Sequence, residues 1–558
     1  MEGMSQAALL FEPDSYCTDD FPLMGRRVAG EQFLAAWLNY AHHADWQIVT
    51  AKTASFDLFR QLHARLGGAG DVQWVHPHHL GRVGSSGSLF LPGPMLADWA
   101  RARHSFGAHA FSVCGITHTI ASHKVIDNLA AMLHEPVMPW DALICTSRAV
   151  RDAVITLLES QAEYLHARLG AVRWSLPHLP VIPLGVDHAA FQFTHAERQA
   201  ARRQLGFDES VCVLLFVGRL SFHCKAHPLP MQRALGEAMR QTGRAAALLE
   251  LGWFANRNQE RAFAEGAHAF CPQAQYRVLD GRKAEESHLA WAAADIFCSL
   301  ADSIQESFGL TPIEAMAAGL PVVVSDWNGY RDTVRDGLDG FLIPVTMPPS
   351  GMGNYFAKRY SSGVDNFDYY CGNSSQFIAV DTGACVEAIA KLLQDAELRQ
   401  RMGENGRQHS KTQFDWPVVL AHYSRLWEKL AEQRQTAAQE APISPSPVPT
   451  RQDPYRLFSS YTPRKFGTDT QVVLAQNVRS DSVMLRQKMH YVQPFIEVLP
   501  NAQFCQDLIT DLQQLGGSAP VARLMAEKPE RLHGEVLMAV ASMVKLDILR
   551  LVSPVPSL

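Results

Sequence analysis

The chain has 558 residues, with 50 Lys and Arg against 56 Asp and Glu and a formal net charge of −6. That length asks for two or three domains, and the charge leaves no footprint for nonspecific nucleic-acid binding, which wants a basic domain. Hydrophobic residues at 47% and charged ones at 19% exclude an extended disordered chain as the overall state.

No apolar run reaches the roughly 18 residues of a membrane-spanning helix, and the first residues lack the basic stretch and long apolar core of a secretory signal. Ten cysteines are scattered from Cys17 to Cys505 without a Cys-x-x-Cys pair. Several, such as Cys212 and Cys298, fall inside apolar strand-like runs, where a thiol acts as a small hydrophobe. The expectation is a cytoplasmic protein without disulfides or structural zinc. Peripheral docking at the inner face of a membrane stays open. The densest histidine cluster, His76, His78 and His79, reads as a loop rather than a metal site.

In chain order, short apolar runs at 8–13, 47–51, 72–77, 109–116, 142–147 and 179–185 read as strands. Between them lie helical patterns, clearest at 30–44 and 148–170. Strand and helix alternating at this length predict a doubly wound parallel sheet. The pattern restarts after Asp187. Strands are expected at 210–220, 246–254, 275–281, 296–300, 321–326 and 340–344, with helices at 231–241, 258–270 and 285–295. The first of these is one continuous apolar run, as a strand buried on both faces would be. Two such domains in series leave a cleft, and ligands of open parallel sheets bind outside the carboxyl ends of the strands.

Residues 347–377 break the pattern with Gly, Ser, Asn and Tyr, and a loop this long is usually functional or disordered. It leaves the carboxyl end of an expected strand. Tyr355, Tyr360, Tyr369 and Tyr370 offer rings to a sugar, and Arg359 and Asp365 offer polar contacts, so the stretch is expected to cover the cleft and help choose the acceptor. Helical periodicity returns at 384–406 and 415–433. The domain boundaries follow: 1–190, 191–435 with the 347–377 insertion, a Pro-rich linker at 436–454, and a mostly helical unit at 455–558. The last unit reads helix, turn, helix, short strand, as a winged helix does. Its second helix carries mostly apolar residues with Lys545 as its cation, which favours a docking or dimerising module over DNA recognition.

The segment 306–326, ESFGLTPIEAMAAGLPVVVSD, poses the functional question. Thr311-Pro312-Ile313-Glu314 fits a capping box, with Thr as N-cap, Pro at the first helical position and Glu three residues on. It fits a helix start that holds an anionic ligand while glutamates read its hydroxyls equally well. Together with FVGRLSFHCKAHP at 216–228, the terminal helices at 393–416, and VIPLGVD at 181–187, this segment resembles the donor half of family 4 glycosyltransferases, retaining enzymes of the GT-B fold. The match runs over roughly residues 9–432 and is stronger in the second half. Arg219 and Lys225 stand one residue further apart than in the commonest version. The 347–377 stretch and the tail are extra.

The resemblance implies an α/β chain of two Rossmann-like domains facing a cleft, with a small mostly helical C-terminal domain. It implies a metal-independent glycosyltransferase whose co-substrate is a nucleotide sugar. The acceptor, a carbohydrate, lipid or other molecule, is not specified. Arg219 and Lys225 would carry the leaving diphosphate, with Arg gripping phosphate bidentately and Lys as a point charge. Glu306 would position the donor and Glu314 would accept from its ribose. Backbone groups at Gly218, Phe308, Gly309 and Leu310 would face the diphosphate or sugar, and those at Gly281 and Arg282 the base. On the first domain, Gly25, with Gly30, would approach the donor phosphate or acceptor, and His118 would stand near the transferred sugar. Structural readings compete for several of these: a turn for Gly25 and Gly30, a core histidine for His118, and core packing for Trp74 and Trp99. Asp19 and Asp20, as a metal-holding pair, lie outside the nucleotide half. A nucleotide-sugar epimerase or hydrolase and a noncatalytic nucleotide-sugar sensor remain the alternatives.

Overall fold

The computed structural model describes residues 7–18, 25–40, 45–437, 452–462, 464–476, 478–479 and 481–552. Asp19, Asp20, the rest of the stretch before Gly25 and nearly all of the Pro-rich linker lie outside the described residues. The chain divides into two compact units, residues 1–448 and 449–558.

The first unit holds two parallel sheets of six strands each. One contains β1 (Ala8–Leu10), β2 (Asp45–Val49), β3 (Asp71–Val75), β4 (Ser88–Phe90), β5 (Ser112–Ile116) and β6 (Ala142–Ile144) in the order β3-β2-β1-β4-β5-β6. The other contains β7 (Cys212–Val217), β8 (Ala246–Gly252), β9 (Gln275–Asp280), β10 (Ile296–Ser299), β11 (Val322–Ser325) and β12 (Gly340–Ile343) in the order β12-β11-β10-β7-β8-β9. Both orders reverse direction once, between β1 and β4 and between β7 and β10. That reversal splays the connecting loops apart and opens a crevice at the carboxyl ends of the strands. Two doubly wound sheets in series are the GT-B architecture.

The second sheet follows the apolar runs of the sequence. β7 and β8 are buried nearly throughout and pair from Cys212↔Ala246 to Val217↔Leu251. The first sheet departs from expectation twice. β4 is a three-residue buried strand bounded by Gly87 at φ +78° and the Pro92-Gly93 turn, so its sequence reads as a loop. The run 179–185 makes isolated bridges beside β6, Ala142↔His178 and Cys145↔Val181. Pro180 and Pro183 have no N–H to give to a ladder.

Residues 347–377 form two helices, Asn354–Ser361 and Phe367–Ser375, closed at their base by the antiparallel pairing of Val345–Thr346 with Ala379–Val380. Arg359 and Asp365 pair with each other inside this hairpin, with Nη2 2.7 Å from Oδ1, which occupies both polar groups. The helix Trp416–Thr436 follows the second domain in sequence and packs on the first: Tyr423 and Trp427 stack in the cluster of Phe33, Trp37 and Phe90.

The second unit has a three-stranded antiparallel sheet of Ser518–Pro520, Gln471–Leu474 and Leu549–Val552, in that order. The helices Ala502–Gln514, Val521–Ala526 and His533–Lys545 accompany it. Val536, Ala539, Val540 and Met543 of the last helix are buried, so its apolar residues go into the unit's own core. All ten cysteines of the chain are buried, and among the described residues no helix is long and apolar enough to cross a membrane.

Candidate active site

The carboxyl ends of β7, β8 and β9 meet through glycines. Gly218 has φ +151°, and a Cβ there would stand 3.1 Å from Lys225 Cε. At Gly252 a Cβ would come within 2.0 Å of the Gly218 carbonyl oxygen, and at Gly281 within 3.2 Å of the Gly252 Cα. Glycine is required here because three backbones close on one another. Gly218 and Gly281 were legible in the sequence. Gly252, directly between them, was missed, although its place at the end of an apolar run was the available signal.

Beyond Gly218 the loop carries the two expected cations. Arg219 donates from Nη2 to Gln305 Oε1 at 3.2 Å. Lys225 forms a mostly buried ion pair with Glu306. Burial pulls the Lys225 ammonium down, but the adjacent Glu306 carboxylate outweighs it and holds the ammonium above its ordinary range. The expected residues Lys225 and Glu306, 81 positions apart, therefore touch. Asn328 Nδ2 donates to the Glu306 carbonyl at 2.6 Å and fixes the segment. Asp302, which sequence reasoning did not single out, is buried beside the same loop and accepts from the His227 N–H at 3.3 Å. Burial pushes its carboxyl up to about 7 against that hydrogen bond.

The helix after Glu306 begins earlier than the capping-box reading requires. It spans Leu310–Ala317 with Gly309 as N-cap at φ +86°, and no side chain caps it. A Cβ on Gly309 would meet the buried Tyr330 ring at 2.0 Å, so only glycine allows the turn. Thr311 is thus already helical and the capping-box reading of Glu314 is overturned. A true capping box stands at Thr194 and Glu197, where the helix His195–Leu205 starts. Phe308 is buried at 1% exposure and serves the core.

Glu314 is buried and its carboxyl is pushed up to about 7 by burial, opposed by the nearby Gln32 side chain and the charge of Lys225. Gln32 lies on the first-domain helix Gly25–Tyr40, so Glu314 reaches across to the other half. Other bridges flank it. Ser147 Oγ donates to the Ser307 carbonyl at 2.8 Å, and Arg148 pairs with Asp332 at 2.7 Å. Tyr360 of the insertion stacks on His123, whose N–H donates to its hydroxyl at 3.3 Å.

The first-domain candidates are placed differently. His118 bonds the Pro92 carbonyl at 3.0 Å and lines a cavity with Tyr16, Phe33, Phe90 and Tyr423. Burial lowers its imidazole to about 4, so it is neutral near pH 7. Gly30 is a packing glycine, since a Cβ there would strike the Ser15 carbonyl oxygen at 1.9 Å. Gly25 opens its helix with nothing within 4 Å of a Cβ. Arg282 turns back on Asp280 at 2.7 Å with its side chain exposed. Trp74 stacks on Phe56 and donates to the Thr50 carbonyl, and Trp99 packs against the first-sheet core. His76–His79 sit at and after the start of the 3₁₀ turn Pro77–Ser85.

Residues 197–351, from the helix ahead of β7 through β12, match the family described as Glycosyl transferases group 1. The chain carries a group 1 glycosyltransferase domain. A D-inositol 3-phosphate glycosyltransferase of Geodermatophilus obscurus is 36% identical over 243 residues, 41% of this chain and 50% of that protein. The one from Nocardia farcinica is 32% identical over 41% and 50%. A phosphatidyl-myo-inositol mannosyltransferase of Mycobacterium leprae is 32% identical over 25% of this chain and 28% of its own. The chain thus spans about half or less of the length of these curated relatives. A solved Anabaena protein in complex with UDP is 18% identical, with 76% of this chain and 100% of that one covered at a TM-score of 0.48. As a glycosyltransferase domain, the second half has its cations and carboxylates at the switch point between β7 and β10, where a doubly wound sheet receives ligands.

Proposed function

We propose that this glycosyltransferase transfers a sugar with retention from a nucleotide-activated donor to an acceptor hydroxyl, and that protein cations rather than a metal carry the leaving diphosphate. The observation behind the reading is the meeting of Arg219, Lys225 and Glu306 at the carboxyl ends of β7 and β10. A diphosphate arriving there finds a planar guanidinium and an ammonium already ordered, so charge developing on the leaving group is met without reorganisation. The phosphate competes with Glu306 for Lys225, and the released carboxylate is free to accept from sugar hydroxyls. Glu314, whose carboxyl burial pushes up to about 7, is partly protonated near pH 7 and can donate as well as accept toward the ribose. In a front-face displacement the acceptor oxygen attacks the anomeric carbon on the side the diphosphate leaves. Its proton passes to a phosphate oxygen, so no side-chain nucleophile is needed.

The contact of Tyr360 with His123 supports a second part of the reading: the 347–377 hairpin lies over the cleft, excludes water and restricts the acceptor. Turnover of a nucleotide-sugar panel by Arg219→Ala and Lys225→Ala tests the core claim. Each variant is expected to lose about 100-fold or more in kcat with unfolding unchanged. Wild-type activity that vanishes without Mg²⁺ and Mn²⁺ and returns with either would refute the protein-cation account.

A further inference from the structure

The loop that bears the two cations carries a second chemistry between them. His223 and Cys224 lie between Arg219 and Lys225, and Asp368 lies on the insertion helix Phe367–Ser375. One ligand atom from each of the three falls within 4.8 Å of the others. Among the described residues this is the grouping of three or more His, Cys, Asp or Glu donors with metal-binding proximity. Cys224 is buried, and its thiol already donates to Asp368 Oδ1 at 3.4 Å. Gly372 brings the insertion backbone so close that a Cβ there would stand 3.0 Å from His223 Cβ.

We infer that His223, Cys224 and Asp368, with a solvent molecule as the fourth ligand, bind one zinc-like divalent cation that fastens the 347–377 hairpin to the loop of Arg219 and Lys225. The set is one imidazole, one carboxylate and one thiol, donors that favour zinc over magnesium. In a tetrahedral zinc site, bond lengths of about 2.0–2.3 Å put neighbouring donor atoms about 3.3–3.8 Å apart. The three donors therefore need to close by only about 1 Å. Zinc replaces the Cys224 thiol proton, which leaves to solvent, and the thiolate bond to the metal takes the place of the bond to Asp368. The ligands come from segments about 145 positions apart, so no Cys-x-x-Cys spacing announces the site. Its role is positional. It ties the cleft-covering hairpin to the diphosphate loop, and it stands apart from the displacement itself, in which no metal takes part.

The test uses the full chain, first stripped of bound metal with a chelator that is then removed, and titrated with Co²⁺ as a spectroscopic stand-in. The expected result is about one equivalent of bound metal with thiolate-to-cobalt charge-transfer absorption, displaced by Zn²⁺ and not by Mg²⁺. Cys224→Ser should abolish the charge-transfer band. Asp368→Asn, an exposed change that leaves the core intact, should weaken Co²⁺ binding about tenfold or more. Wild-type protein that shows no stoichiometric thiolate-bound Co²⁺ overturns the inference, whatever the variants do. So does Asp368→Asn protein that binds as the wild type does, which would leave the cluster a hydrogen-bond network. The glycosyl-transfer reading is judged separately, since Mg²⁺ and Mn²⁺ decide that case and neither replaces zinc at thiolates.

Discussion

The two sheets share a strand order and a fastening at their amino ends, and they part at their carboxyl ends. In the first sheet Asp141, just ahead of β6, accepts from the Val113 N–H at 2.7 Å and pairs with Arg103 in full burial. In the second, Asp295, just ahead of β10, accepts from the Val213 N–H at 2.8 Å and pairs with Arg198 and Arg202. The same device locks one strand to its neighbour in both. At the other ends the second sheet gathers Arg219, Lys225, Glu306 and Asp302, whereas the first presents a neutral histidine and aromatic walls. The amino ends are scaffold, and among the described residues the cations and carboxylates of the candidate site gather at the carboxyl ends of the second sheet.

The largest expected effect tests the scaffold half of that comparison. Asp141→Ala strands Arg103 without a counter-charge at 0% exposure, and should cost about 3–5 kcal/mol in urea unfolding. Asp295→Ala leaves Arg198 32% exposed and able to reach water, and leaves the buried Arg202 still bonded to the Ala293, Asp208 and Val211 carbonyls, so it should cost less, roughly half as much. Equal losses would show that the two fastenings are not graded by burial.

A smaller effect separates scaffold carboxylates from site carboxylates. Glu250, buried in β8, accepts from the Tyr276 hydroxyl at 2.7 Å. Burial raises its carboxyl from an ordinary 4.5 to about 7, against that hydrogen bond. Between those values the folded state holds a proton that the unfolded chain has released. Its stabilisation is complete below about 4.5 and is lost as the pH rises through about 7. Asp302 and Glu314 behave alike, while buried histidines such as His118, lowered from 6.5 to about 4, act in the opposite sense below 6.5, so the carboxylates' fall in melting temperature should show from about pH 6.5 to pH 8. Glu250→Gln should remove roughly a third of that slope and stabilise the protein at pH 8. An unchanged slope would mean that Glu250 is ionised in the folded protein.

The second half was the more legible because its strands are long. Six- and seven-residue apolar runs such as β7 and β8 survive any loop-like neighbours, while the three residues of β4 vanish between a glycine and a Pro-Gly turn. At the site, Gly218, Arg219, Lys225, Glu306 and Gly309 were found through their resemblance to a family. No spacing rule predicts an ion pair across 81 positions or the approach of Gln32 to Glu314. The capping box misled because Thr-x-x-Glu does not by itself mark a helix start. Gly309, with its positive φ, starts one helix early and strips that pattern of its meaning, whereas the pattern holds at Thr194. The insertion read as irregular because its Gly, Ser and Asn content hides two short helices.

The most direct measurement is calorimetric titration of UDP, GDP and ADP into the full chain in buffer free of Mg²⁺ and Mn²⁺, repeated with Lys225→Ala. The account predicts that one of the three binds without added metal and that its affinity falls about 100-fold in the variant. Binding that requires Mg²⁺ or Mn²⁺, affinity that Lys225→Ala leaves unchanged, or no binding of any of the three would contradict it.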